Sequence, residues 1–201
     1  MCRKFLAICL CGALMLMPGA AVADDVADMI KRGLKLYEEG NLSQAMEELN
    51  FALAQMRQKK ADSLTGIFPD APSGWKAQKA QSESAGAGLM GGGIKASRKY
   101  KQDGGKGKAR LEIMTDSPLI QSMAMMLSNP MFLQGGKSGK LIRLKGQKAI
   151  FKDSGKRAEL QMLIDNKILL KANASKVDNA GEIVQELAKN LDLDKLKELT
   201  K

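Results

Sequence analysis

Apolar positions follow two rhythms along this chain, and the change between them divides it. From Val26 to Met56 they recur every three or four residues: Val26, Met29, Ile30, Gly33, Leu34, Leu36 and Tyr37, a break at Glu38-Glu39-Gly40-Asn41, then Ala45, Met46, Leu49, Ala52, Leu53 and Met56. That spacing is helical, and the polar break predicts two helices joined by a tight turn over 24–64. From residue 94 the period shortens to two. Leu160, Met162 and Ile164 alternate with Glu159 and Gln161, as on a strand with one buried face. Segments 97–102, 109–115, 140–145, 148–153, 158–164 and 167–173 read as strands, with hairpin turns at Asp103-Gly104-Gly105, Gly146-Gln147 and Asp165-Asn166. Helical spacing returns near Asn179 with Ile183, Val184, Leu187, Leu191, Leu196 and Leu199. The predicted class is α+β: an N-terminal helical hairpin followed by an antiparallel β-sheet packed with two helices, the latter as one domain over 94–201.

Between these parts, 65–93 reads as a Pro- and Gly-rich connection. Phe68-Pro69-Asp70-Ala71-Pro72-Ser73-Gly74-Trp75 is turn-rich, and Ala85 to Gly93 is glycine-dense. Trp75, the single tryptophan, is expected to close the core edge where the chain enters the second domain.

One segment breaks the charge pattern. Between Asp116 and Lys137 there is no charge, in a chain where 27% of residues are charged. Ser117 as N-cap and Pro118 at the first helical position open a helix that should close before Pro130. Leu119, Ile120, Met123, Met126 and Leu127 form its apolar stripe, and Met131 and Phe132 extend the apolar surface beyond it. Three readings fit: a core helix with methionines filling gaps, an adaptable apolar lip for a lipid, peptide or partner helix, or thioether capture of Cu(I). Against the last, positions 123 and 125 point about 200° apart on a helix and histidine is missing. The partner- or ligand-binding candidates are Leu119, Met123, Met126, Leu127, Met131 and Phe132.

Gly33, Leu36-Tyr37, Gly40, Leu42, Ala45, Leu49 and Ala52-Leu53 fall at the spacings of a tetratricopeptide unit, so residues 25–58 resemble one such repeat. The resemblance implies two antiparallel helices that approach closely at Gly33, Ala45 and Ala52, and a role in protein binding. Arg57 stands where a closing proline is common, and no second copy follows. Such units need about three stacked copies to stand alone, so this one must lean on the next domain or on a partner. Residues 94–201 resemble uncharacterised exported bacterial α+β proteins that join a helical hairpin to an antiparallel sheet.

Composition then narrows the chemistry. Residues 1–23 read as a secretory signal: Arg3-Lys4, an apolar core from Phe5 to Met17, and small residues ending in Ala21-Val22-Ala23. The core is too short to span a bilayer, and Ile8 and Leu10, not small residues, precede Cys9 and Cys11 as a lipoprotein signal would not allow. Cleavage after Ala23 removes all three cysteines and leaves a periplasmic chain without cysteine or histidine. Thiol catalysis, disulfides, zinc fingers and imidazole chemistry go with them. The chain carries +10; the signal holds Arg3 and Lys4 and no acid, so +8 stays on the remaining 178 residues. Such an excess favours anionic surfaces, and Lys140, Arg143, Lys145 and Lys148 are the basic surface candidates.

Gly86-x-Gly88-x-x-Gly91 copies a dinucleotide fingerprint, but a polar stretch precedes it where a buried strand is required. No enzyme, cofactor or nucleic-acid partner is expected, the last because aromatics make up 4% of the chain and no stacking motif occurs. The expected function is an exported, non-enzymatic interaction module with an envelope protein as partner. A carrier or sensor for a lipid or another apolar or anionic ligand is the alternative, followed by a Cu(I) binder, and an anionic membrane surface is a further candidate partner.

Overall fold

Helices cover one face of an antiparallel sheet and part of the other. The structure, a computed structural model, describes residues 25–85, 93–128 and 139–200. The proposed signal at 1–23, residues 86–92 of the glycine run, and Met131 and Phe132 lie outside them. Described elements are α1 (Asp25–Glu38), α2 (Leu42–Ser63), a 3-10 turn (Leu64–Ile67), β1 (Trp75–Ala77), β2 (Gln81–Ala85), β3 (Gly93–Gln102), β4 (Lys108–Thr115), α3 (Pro118–Ser128), β5 (Lys140–Leu144), β6 (Gln147–Asp153), β7 (Arg157–Ile164), β8 (Ile168–Ser175), α4 (Ala180–Lys189) and α5 (Leu193–Leu199). The sheet order is β1-β3-β4-β8-β7-β6-β5, with β2 also paired to β3. The class is α+β, as the periodicity predicts.

Alternation decides what each face buries. Even positions of β7 and β8 (Leu160, Met162, Ile164, Ile168, Leu170, Ala172) and odd positions of β4 (Leu111, Ile113) point into one core. α4 closes that core with Ile183, Val184 and Leu187, α5 with Leu196, the end of α2 with Ala61, and the 3-10 turn with Leu64. Trp75 is buried in the same core from the short edge strand β1, as expected. On the opposite face, α3 lays Ile120, Met123 and Leu127 on Ile150, Leu163 and Leu169.

The strand readings hold, with additions. β1 and β2 arise inside the stretch read as connection. At the β5–β6 hairpin the left-handed residues are Lys145 (φ 48°) and Gly146 (φ 77°), and Gln147 already pairs with Leu144. The turn therefore sits one residue earlier than the sequence suggests. Asp165 and Asn166 both adopt positive φ, the geometry of a two-residue hairpin. The closing helix is two helices, because Asp192 accepts a hydrogen bond from Lys195 N at 3.0 Å and restarts the chain as α5.

The entry to the sheet is locked by a polar cluster. The Tyr100 hydroxyl donates to Pro69 O at 2.9 Å, and Arg98 donates to the Phe68 and Pro69 carbonyls at 3.3 and 3.2 Å while lying 5.9 Å from the Tyr100 ring centre. Burial pushes the Tyr100 phenol up to about 12, although Arg98 pulls it down. The folded chain thus holds this proton more tightly than the unfolded chain, whose tyrosine titrates near 10. The stabilisation is complete below pH 10 and is lost as pH rises toward 12, about 2–3 kcal/mol in all. Tyr100→Phe should cost about 1 kcal/mol at pH 7 and remove that alkaline loss. Urea titrations at pH 8 and pH 11 test this; an unchanged alkaline slope in the variant would assign the loss to other groups.

Candidate docking surfaces

The first surface is built by the two N-terminal helices. α1 meets α2 through small residues: a Cβ on Gly33 would lie 2.8 Å from Leu49 Cγ, and Ala45 and Ala52 are 2% and 1% exposed. Close approach uses up these small residues and leaves the long ones outside. Nine of the twelve large apolar side chains exposed among the described residues belong to this hairpin. With a helix step of 100°, Ile30, Leu34 and Tyr37 share one side of α1. Leu42, Met46, Leu49, Leu53 and Met56 form a stripe on α2 with alternating spacings of four and three. Met29, Arg32, Leu36, Glu48 and Phe51 line the hairpin's other side, where Arg32 pairs with Glu48 at 3.4 Å. The first side is the more apolar, and it carries eight of the nine exposed residues.

What fixes the hairpin to the body lies further along α2. Gln58 receives a hydrogen bond from Ser84 at 2.9 Å, Ser82 bonds Asp62, and Lys60 Nζ meets Asp116 Oδ2 at 3.0 Å. Beyond that anchor, the N-terminal half of α2 and all of α1 pack mainly on each other.

The second surface is α3. Asp116 takes a left-handed conformation (φ 53°) to turn the chain from β4 into the helix, and the Ser117 hydroxyl accepts from Leu119 N at 3.3 Å. Of the apolar candidates here, Met123 and Leu127 are buried against the sheet and Met126 is half-buried. Leu119 and Met125 are exposed, the latter off the predicted stripe. A groove of about 1090 Å³ runs beside α3, lined by Lys60, Asp116, Ile120, Met125, Asn166 and Lys167 among others. Its walls mix charged, polar and apolar groups from α3, the end of β4 and the β7–β8 turn.

The basic candidates separate in space. Lys140 and Arg143 lie on the edge strand β5, where charge discourages pairing with another sheet. Lys145 Nζ donates to Leu191 O at 2.7 Å, just past the end of α4, and Lys148 is exposed on β6. A denser cationic region occupies the other end of the sheet face that α3 leaves open. There, pairing aligns Lys99 with Arg110 and Lys101 with Lys108, and Arg157 stands beside Ser175 two strands on. Strand order across β8 adds Arg157 to this hairpin, and no sequence spacing displays that.

Among the described residues no three of His, Cys, Asp and Glu converge on a point that could hold a metal ion. Nor is any described helix long and apolar enough to cross a membrane. No protein family, curated protein or solved structure matches this chain.

Proposed function

We propose that this protein is an exported, non-enzymatic interaction module that docks other proteins on its N-terminal helical hairpin. One observation carries the reading: the main sheet core is closed by helices, while the hairpin keeps eight large apolar side chains exposed on one side. A patch of that size matches the largest apolar patch on a typical soluble monomer, and such patches are often functional. The likeness to a tetratricopeptide unit points the same way, because such units bind through helix pairs. Of the sequence-derived candidates, Leu119 remains available for contact and Met123 and Leu127 serve packing.

Amine cross-linking of the protein in its native envelope, read by mass spectrometry, tests this. Lys31 and Lys35 on α1 should form cross-links to a protein chain other than the same molecule. Intermolecular cross-links confined to lysines of the sheet, such as Lys101 and Lys108, would move the docking surface away from the hairpin.

A further inference from the structure

We infer that the hairpin's partner is a second copy of this chain, joined as an antiparallel two-fold four-helix bundle centred on Leu34 and Leu49. This rests on the hairpin being a docking surface and adds which chain occupies it.

Three observations lead to that occupant. The first is the symmetry of the stripes. On α2 the exposed apolar residues lie at −7, −3, 0, +4 and +7 from Leu49; on α1 they lie at −4, 0 and +3 from Leu34. The Gly33–Leu49 contact sets Leu34 within about one residue's rise of Leu49. A two-fold axis lying in the interface at that height, across the helices, therefore stacks α2 on α2 and α1 on α1. Each stripe then meets its own reverse to within one residue, with the alternating four-three spacing of interhelical packing. The parallel alternative would set the three-residue stripe of α1 on the five-residue stripe of α2.

Charge is the second observation. Glu38 and Lys31 flank the α1 stripe on the same outer side, four residues after and three before Leu34. The antiparallel axis brings Glu38 of each copy beside Lys31 of the other. A parallel pair would instead gather the acidic turns, Glu38 and Glu39, of both copies at one end.

The third is area. Eight side chains that are each about half exposed offer roughly 400 Å² of apolar surface per copy, about 800 Å² for the pair. A standard interface buries about 1,600 Å², of which about 57–65% is apolar. The patch thus supplies most of the apolar area a dimer needs, at the lower end of the range. The expected dimer forms at tens of micromolar and dissociates below about 1 µM.

Sedimentation velocity on the protein isolated after export, from about 1 to 100 µM, should show this transition. Met46→Asp with Leu53→Asp should raise the dissociation constant at least a hundredfold. Phe51→Asp, equally exposed but on the other side, should leave it within about threefold. Glu38→Lys should weaken the dimer about tenfold at low salt, and adding Lys31→Glu should restore it. Near-UV circular dichroism of buried Trp75 reports whether each variant keeps the body folded. A monomer at 100 µM, or equal disruption by Phe51→Asp, overturns the dimer. If the chain is monomeric but its hairpin cross-links to a different envelope protein, the docking role stands and the self-association falls. If the hairpin forms no intermolecular cross-link of any kind, both fall.

Discussion

Leu170→Ala is expected to lower the unfolding free energy by about 3–4 kcal/mol, the largest loss from any single truncation discussed for this chain. β8 is the middle strand of the sheet, with β4 on one side and β7 on the other. Leu170 pairs with Ile113 and Met162, and all three are 0% exposed beneath α4. Removing three carbons there leaves a cavity that cannot fill from either neighbour, because the strands are held by ladders on both sides. A domain of this size has about 5–15 kcal/mol in total, so the midpoint of urea unfolding should fall visibly with an unchanged denaturant slope. A loss under about 1 kcal/mol would mean that the core is not centred on β8.

Gly139→Val is the second large effect, and it should act locally. Gly139 has φ +97°, and a Cβ there would lie 2.9 Å from Phe151 O and 2.6 Å from Lys152 Cγ. The variant meets a strained backbone and a collision with the carbonyl of the neighbouring strand, together about 2–3 kcal/mol. Among the described strands β5 pairs with β6 alone, so the strain should be relieved by peeling Lys140–Leu144 from the sheet. Amide exchange of β5 should accelerate by roughly thirtyfold or more, with β4 and β8 unchanged. Uniform acceleration through the sheet would show that β5 is part of the global unit. The freed edge of β6 would also invite pairing between molecules, so aggregation on concentration is the secondary readout.

Much of this architecture is written in the period of the apolar positions. β4 alternates cleanly because it has one wet face and one buried one, whereas β6, β7 and β8 lose the alternation at Ile150, Leu163 and Leu169, where α3 covers the second face. β2 escapes such reading for a physical reason. Its sequence, Gln81-Ser82-Glu83-Ser84-Ala85, is polar since Ser82 and Ser84 meet Asp62 and Gln58 of α2 and not an apolar layer. The shifted β5–β6 turn has a similar cause: glycine draws attention to itself, yet Lys145 shares the left-handed conformation. For α3, the stripe is broader on paper than in space, since the sheet has room for Ile120, Met123 and Leu127 and leaves Leu119 outside.

The exposed apolar side of the hairpin is harder to see in advance, and the obstacle is general. Periodicity says which residues share a side of a helix; it is silent on whether anything covers that side. Val184 and Leu187 of α4 obey the same rule as Leu49 and Leu53 of α2, yet the former lie on a sheet and the latter lie in water. Only the placement of the whole hairpin beyond its anchor at Gln58, Lys60 and Asp62 separates the two cases. Likewise, the cationic end of the open sheet face depends on which strands become neighbours.

That uneven placement of charge makes the molecule an electrical lever. Residues 25–56 hold six acids and three bases, whereas 57–201 hold 27 Lys and Arg against 15 Asp and Glu. Close to a negatively charged wall the body is drawn inward and the hairpin is pushed outward, so the chain orients before it touches anything. Its apolar helices would then project into the aqueous space, where a neighbour oriented by the same field can reach them sideways. Neutron reflectometry above a phosphatidylglycerol layer would read that orientation, with the hairpin in the outer part of the protein layer; a hairpin lying against the lipid would contradict it.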